Sequence, residues 1–433
     1  MKRQTKYCRL FLLSTLSVIF MSVMVGCRYL SIPTKDDVAG GSVQQRGNSD
    51  APVYNSAVIK GRVISLDQAR ASTLVVACPL SAGSTKIAEY ANANSQGIFL
   101  LYLPQGSYNL YALTDYNHNG IYENDEISGL YGSSFSPQAI SINEGDLLTG
   151  LLIQTSAGNS RKIKLPPGVN FSGKQEFLKK LTHNGQVLKI YHEYFSLEKA
   201  STGYWQPSSF MKVFGAHIYL AEDYDPRKIP LLFVHGTEGS PHNWIYICMR
   251  LDRSRYQPWF FYYPSGIRLP LAAALLNEEL RELQQKLGFK KMGVIAHSVG
   301  GLTARSFLTR YPMDKQKSHV PLFMSLATPW SGFAAADISQ IIPHKSIPVW
   351  VDLGTQSDFI QTTLASRLPP GITHYIFYGK FDKLSGNAAL DERAVDSAAQ
   401  TYGFDCTHDT ILSDRKLFRE FREILDRELR LAN

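Results

Sequence analysis

A serine that is to attack a carbonyl carbon must stand clear of the backbone that carries it, and one stretch of this chain is built that way. Met292-Gly293-Val294-Ile295-Ala296-His297-Ser298-Val299-Gly300-Gly301 runs from an apolar strand pattern through small residues into a helix pattern. Ala296 and Gly300, two residues before and two after, leave room for a strained strand-to-helix turn, so Ser298 reads as a nucleophile. A second stretch, Leu231-Leu232-Phe233-Val234-His235-Gly236-Thr237-Glu238-Gly239-Ser240-Pro241, is an apolar strand that ends in a glycine-rich loop, and Gly236 allows that loop a close approach. Imidazoles stand at His235 in this loop and, downstream of Ser298, at His319, His344, His374 and His408. His374 opens an apolar strand and His319 and His344 precede similar runs. His408 lies in a polar loop before the final helix pattern.

A different chemistry is written in Asp115-Tyr116-Asn117-His118-Asn119-Gly120-Ile121-Tyr122-Glu123-Asn124-Asp125-Glu126, which fits D-x-[DN]-x-[DN]-G-x5-E. Side-chain oxygens of Asp115, Asn117, Asn119 and Glu126, the Ile121 carbonyl, and Gly120 at the sharp turn are what a structural Ca²⁺ requires. The flanks read as strands, Ser107 to Thr114 and Ile127 to Tyr131, so a helix-loop-helix calcium motif is not expected. Without a cation the segment would be a solvated Asn/Gly-rich hairpin.

These groups need elements to hold them. Over 56–160 short β-type runs alternate with Gly, Pro, Asn and Asp: Ala57 to Leu66, Leu74 to Cys78, Gly97 to Leu103, Ser107 to Thr114, Ala139 to Ile142 and Leu147 to Gln154. That spacing predicts an all-β sandwich. Over 165–433 strands alternate with amphipathic helices. The strands are Leu231 to Val234, Trp259 to Tyr262, Met292 to Ala296, Leu322 to Leu326 and Tyr375 to Gly379, and the helices Leu269 to Leu287, Gly300 to Arg310 and Asp414 to Leu431. Such alternation predicts a mostly parallel sheet covered on both faces.

The second region resembles the α/β-hydrolases, in the branch of lipases and glycosylphosphatidylinositol inositol-deacylase-like proteins. The matching segments are Ala-x-Ser-x-Gly at Ser298, His235-Gly236 after its strand, Tyr263-Pro264-Ser265-Gly266, Ala327-Thr328-Pro329-Trp330-Ser331-Gly332 and the loop around Asp391. The resemblance implies cleavage of carboxylic esters without metal or cofactor. It implies Ser298 as nucleophile, His408 as base, and the N–H groups of Thr237 and Val299 as oxyanion donors, with His235 holding its loop. For the acid it implies Asp391, in a variant of an Asp-Gly-x-Val-x-x-x-Ser loop with Glu392 in place of Gly. Asp382, directly after the strand Tyr375 to Gly379, is the alternative. Trp330, Phe333, Ile338, Ile341 and Ile342 line an acyl pocket or belong to ordinary core. A serine peptidase or acyltransferase on the same triad, or a binding protein with a silent hydrolase fold, are the rival readings. The stretch from Gly61 to Tyr108 resembles prealbumin-like or immunoglobulin-like sandwich modules.

The chain has 433 residues, 44% hydrophobic and 19% charged, which excludes a disordered, collagenous or polytopic membrane protein. Its +8 charge owes much to Lys2, Arg3, Lys6 and Arg9; about +4 remains beyond them, and no basic patch calls for nucleic acid. Residues 1–26 read as a leader whose apolar run, Leu10 to Val25, falls short of the ~20 residues a membrane span needs. Met24-Val25-Gly26-Cys27 resembles a bacterial lipobox, which implies a lipid-modified Cys27 and, with Arg28 next, the outer membrane. Gly40, Gly41, Gly47, Asn48 and Ser49 among few apolar residues give 27–55 the composition of a flexible tether. Cys78, Cys248 and Cys406 are too few and too far apart for a disulfide framework and read as buried apolar residues.

Overall fold

The β-type runs of residues 56–157 pair into two sheets. In the computed structural model the described residues are 56–67, 71–80, 87–93, 97–133, 135–143, 145–163, 184–310, 319–337, 339 and 347–429. The expected leader, tether and Cys27, and residues 338 and 341–346, lie outside them. The first sheet has the order β10-β1-β4, with β1 (Ser56–Ser65), β4 (Ile98–Pro104) and β10 (Leu147–Thr155). The second has the order β3-β2-β5-β6, from β2 (Thr73–Pro79), β3 (Glu89–Asn92), β5 (Gly106–Thr114) and β6 (Ile127–Leu130). The short β7 (Gly132–Ser133) and β8 (Ser136–Pro137) pair with each other, and β9 (Ile140–Ile142) pairs with β5. Ile59, Phe99 and Leu101 of the first sheet share one apolar cluster with Val75, Ala77, Leu110 and Ala112 of the second. Alternate residues of β5, Tyr111 and Leu113, face the other way and pack on Tyr122 and Ile127.

Beyond residue 184 a second sheet system begins. Its strands are β11 (His217–Leu220), β12 (Ile229–Val234), β13 (Tyr256–Tyr262), β14 (Gly293–His297), β15 (Leu322–Leu326), β16 (Thr373–Gly379) and β17 (Gln400–Phe404). Their order is β11-β13-β12-β14-β15-β16-β17, parallel except for β11. The helices are α1 (Leu197–Trp205), α2 (Pro207–Val213), α3 (Ile245–Cys248), α4 (Leu269–Leu287), α5 (Val299–Arg310), α6 (Pro348–Leu353), α7 (Asp358–Ala365), α8 (Glu392–Asp396) and α9 (Arg415–Glu428). Central strands are buried at every position because both faces are covered. Leu232, Val234, Val294 and Ala296 meet Leu276 of α4 and Leu302 of α5 on one face. Leu231, Phe233 and Ile295 meet Ile247 of α3 and Phe421 of α9 on the other. A buried carboxylate helps fix α4: Asp352 accepts the Leu269 N–H at 2.7 Å and pairs with Arg268 at 2.8 Å.

The boundary expected near 160–165 is crossed by apolar and ionic contacts. Val58 and Tyr102 sit in the same cluster as Leu276, and Lys60 Nζ reaches Glu278 of α4 at 3.3 Å. All described residues belong to one compact unit, Val53–Asn433. Cys78, Cys248 and Cys406 are free and buried. Among the described residues no helix is long and apolar enough to cross a membrane.

Candidate active site

Strand β12 lies between β13 and β14, so the chain leaves it in one direction and later returns on its other side. In open parallel sheets that reversal leaves a crevice at the carboxyl ends of the strands. Val234 pairs with Ala296 there, which brings His235-Gly236 beside His297-Ser298. A methyl group on Gly236 would lie 2.6 Å from the Ser298 Cβ, and one on Gly300 would lie 2.5 Å from the His235 carbonyl oxygen. Only glycine permits both approaches.

Ser298 occupies the left-handed region at φ 55°, the strained turn its small neighbours allow. Its N–H is tied to the Leu326 carbonyl at 2.8 Å. Its Oγ is 2.9 Å from His408 Nε2, and His408 Nδ1 is 2.9 Å from Asp382 Oδ2. All three residues are buried. Asp382 Oδ1 accepts the N–H groups of Leu384 at 2.8 Å and Ser385 at 2.9 Å. Burial pushes the Asp382 carboxyl up, but the His408 hydrogen bond and charge and these two N–H groups outweigh it, holding its pKa below the ordinary carboxylate value. The loops carrying the acid and the imidazole are themselves laced together, Phe381 N–H donating to the Cys406 carbonyl at 3.0 Å.

The expectation that Asp391 orients the imidazole is corrected by this geometry. Asp391 lies at the N-terminus of α8, where its carboxylate accepts the Arg393 N–H at 3.0 Å and pairs with the Arg393 guanidinium at 2.9 Å. It is committed to helix capping. His408 meets the carboxylate that follows β16 directly.

His235 keeps to its loop. Its Nδ1–H donates to the Gly236 carbonyl at 2.8 Å, its Nε2 accepts from the Tyr263 N–H at 3.4 Å, and its ring stacks on Tyr263. Burial lowers its pKa to about 4, so it is neutral. Val299 is the first residue of α5, so its N–H has no acceptor within the helix, and Thr237 follows Gly236 on the facing loop. His374 is buried against Phe323 and hydrogen-bonds Ser325 Oγ at 2.9 Å, and His344 is outside the described residues. Trp330 is fully buried core and Phe333 packs against the same cluster, whereas Ile338, Ile341 and Ile342 are not described. Asp115, Asn117, Asn119, Ile121 and Glu126 join β5 to β6 and take no part in this cluster.

Three groups at the site escaped the sequence reading. His297 donates from Nε2 to the His408 carbonyl at 3.0 Å, and burial above all lowers its pKa to about 3, so it acts as a neutral strut. A lone histidine at the end of an apolar strand was the available signal. Ser385 Oγ donates to the Ala327 carbonyl at 2.7 Å and lies 3.2 Å from His408 Nδ1. Glu238, at φ 51°, accepts from Trp205 Nε1 at 2.6 Å, while its N–H donates to Ser265 Oγ at 2.9 Å. Nothing local in the sequence marks these last two.

Residues 230–363 match the model of the family described as "Putative serine esterase (DUF676)". No curated protein matches the chain in sequence. Among solved structures, the mature lipase BlEst2 of Bacillus licheniformis is similar at 19% identity over 48% of this chain and 97% of that one, with a TM-score of 0.36. The monoacylglycerol lipase of Paleococcus ferrophilus is similar at 14% identity over 49% and 98%, with a TM-score of 0.38. A Listeria innocua protein is similar at 14% identity over 48% and 95%, with a TM-score of 0.36. The α/β architecture itself rests on the strand order and covered faces described above.

Proposed function

We propose that this chain is a serine hydrolase of carboxylic esters working through Ser298, His408 and Asp382. The observation that carries the reading is the continuous hydrogen-bonded relay from Ser298 Oγ through both ring nitrogens of His408 to a buried carboxylate. Ser298 Oγ attacks the ester carbonyl carbon while its proton passes to His408 Nε2. Asp382 stays ionised, fixes the Nδ1–H tautomer and stabilises the imidazolium. The N–H groups of Thr237 and Val299 take the negative oxygen as the tetrahedral species forms. His408 then returns the proton to the departing alkoxide, leaving an acyl-serine. Water repeats the sequence, its proton going to His408 and then to the released Ser298 oxygen. No metal or cofactor is needed for these steps. Phe381 and Leu384, large apolar side chains left exposed on either side of Asp382, favour an acyl or lipid ester as substrate.

Wild-type protein should hydrolyse p-nitrophenyl butyrate and take up a fluorophosphonate on Ser298, and Ser298→Ala should lose both. Unlabelled wild-type protein without esterase activity would leave a silent hydrolase fold. The same reading includes attachment to a bacterial envelope membrane, at the outer membrane, through a lipid-modified Cys27, supported by the leader-like residues 1–26. Two or more acyl chains hold a protein firmly where one does not. Metabolic palmitate labelling that is absent from wild type, or that persists in Cys27→Ser, would refute the attachment.

A further inference from the structure

The second chemistry-bearing stretch is unused by this reaction. The loop Asp115 to Glu126 leaves the end of β5 and enters β6 through a single 3-10 turn, Asn124–Glu126. Its polar side chains point inward onto its own backbone. Asp115 accepts the Asn119 N–H at 3.1 Å on Oδ1 and the Gly120 N–H at 3.0 Å on Oδ2. Asn117 Oδ1 accepts the Asn119 N–H at 2.9 Å, and Asn119 Oδ1 accepts the Ile121 N–H at 2.7 Å. His118 at φ 57° and Gly120 at φ 74° make the turn. A methyl group on Gly120 would meet nothing within 4 Å, so glycine is there for conformation and not for room.

These bonds alone describe a self-sufficient loop. Glu126 does not fit that description. It is 6% exposed and Asp115 is 5% exposed, two carboxylates buried beside each other. Glu126 Oε2 accepts the Glu123 N–H at 3.3 Å. Its Oε1 is buried with no hydrogen-bond partner at bonding distance and angle, although the N–H groups of Tyr116 and Asn117 lie nearby. A buried carboxylate oxygen whose nearest N–H donors are poorly placed is costly, and a second carboxylate at hand adds to the cost. Among the described residues, none of the groups acting on the Glu126 carboxylate is a cation. The arrangement calls for a cation from solution.

We infer that Asp115, Asn117, Asn119, Glu126 and the Ile121 carbonyl form a calcium site within the two-sheet unit, independent of the esterase reading. All the donors are oxygens, two of them amides and one a backbone carbonyl, which suits a hard cation of high coordination number. Among the described residues no three or more His, Cys, Asp or Glu side chains gather as a metal site, so this set depends on its amide and carbonyl oxygens as much as on its two carboxylates. With two carboxylates in the set, affinity belongs in the weaker range, a Kd of roughly 10⁻⁵ to 10⁻³ M. Magnesium prefers a smaller octahedral shell and should bind less tightly.

Full-length protein stripped with chelator and titrated calorimetrically with CaCl₂ should bind one ion per chain, with MgCl₂ at least tenfold weaker. Glu126→Gln and Asp115→Asn should each weaken calcium at least tenfold, while Asp125→Asn, an exposed acid of the same loop, should leave it unchanged. If either variant fails to fold, tyrosine-sensitised terbium luminescence of the wild-type loop, displaced by calcium, supplies the same measurement. Esterase activity of stripped and calcium-loaded protein should agree within twofold, which separates failure of this site from failure of the catalytic reading. No calcium heat and no terbium signal from stripped wild type at millimolar ion, or binding undiminished in both folded variants, would overturn the inference.

Discussion

Replacing Asp382 by Asn and Asp391 by Ala should separate a catalytic loss from a structural one. In Asp382→Asn the retained Oδ1 still accepts the Leu384 and Ser385 N–H groups, so the turn after β16 should persist. The new amide NH₂ stands where Oδ2 accepted from His408 Nδ1 at 2.9 Å. Two donors cannot face each other, so Nδ1 becomes the acceptor and the proton moves to Nε2, the nitrogen that must receive the Ser298 proton. A wrong tautomer of this kind lowers kcat on the order of 10⁴-fold in a serine triad. Asp391→Ala removes a cap on α8 and an ion pair whose Arg393 end is exposed. The cap is worth about 1 kcal/mol and the exposed pair less. Stability should therefore drop by about that amount in a urea titration, with kcat on p-nitrophenyl butyrate within twofold of wild type. If Asp391→Ala lost a thousandfold in kcat while Asp382→Asn stayed within tenfold, the assignment of the acid would be refuted.

Ser298 pays in backbone strain for its exposure to substrate, so Ser298→Gly should be more stable than Ser298→Ala by about 1 kcal/mol although both are inactive; equal urea midpoints would contradict the strain. A methyl group on Gly301 would fall 1.9 Å from Oγ1 of the buried Thr328. Gly301→Ala should thus cost about 1–3 kcal/mol, and adding Thr328→Ala should restore a measurable part of it. His235 and His297 have folded pKa values lowered to about 4 and about 3 from the ordinary 6.5. Between those values and 6.5 the unfolded chain binds the protons first, so acidification disfavours the fold by up to about 1.4 kcal/mol per pH unit for each histidine. Melting temperature should fall steeply below pH 6, and His297→Asn should flatten that slope; an unchanged slope would remove His297 from the account.

The core of the catalytic half was legible because burial on both faces writes strands as near-continuous apolar runs. Leu322 to Leu326 and Leu269 to Leu287 carry the same limits in sequence pattern and structure. Ser298 and Gly236 were legible for a related reason, since a close approach of two loops leaves glycine and alanine where larger side chains would collide. The edge strands were not. In β17, Gln400–Phe404, only Phe404 is buried, so its pattern is that of a polar loop. That same strand sets the imidazole, because His408 follows it as Asp382 follows the adjacent β16, and the parallel pairing of Tyr375 with Gln400 carries both loops to one edge. Once β17 is known, the acid has to come from the end of its neighbour. Asp391 then reads differently: an aspartate followed by Glu392 and a short helix carries the signature of an N-cap. The local motif around Asp391 pointed one way and the sheet order the other. Sheet order decides, since a carboxylate can orient an imidazole only where the strands deliver both to hydrogen-bonding distance.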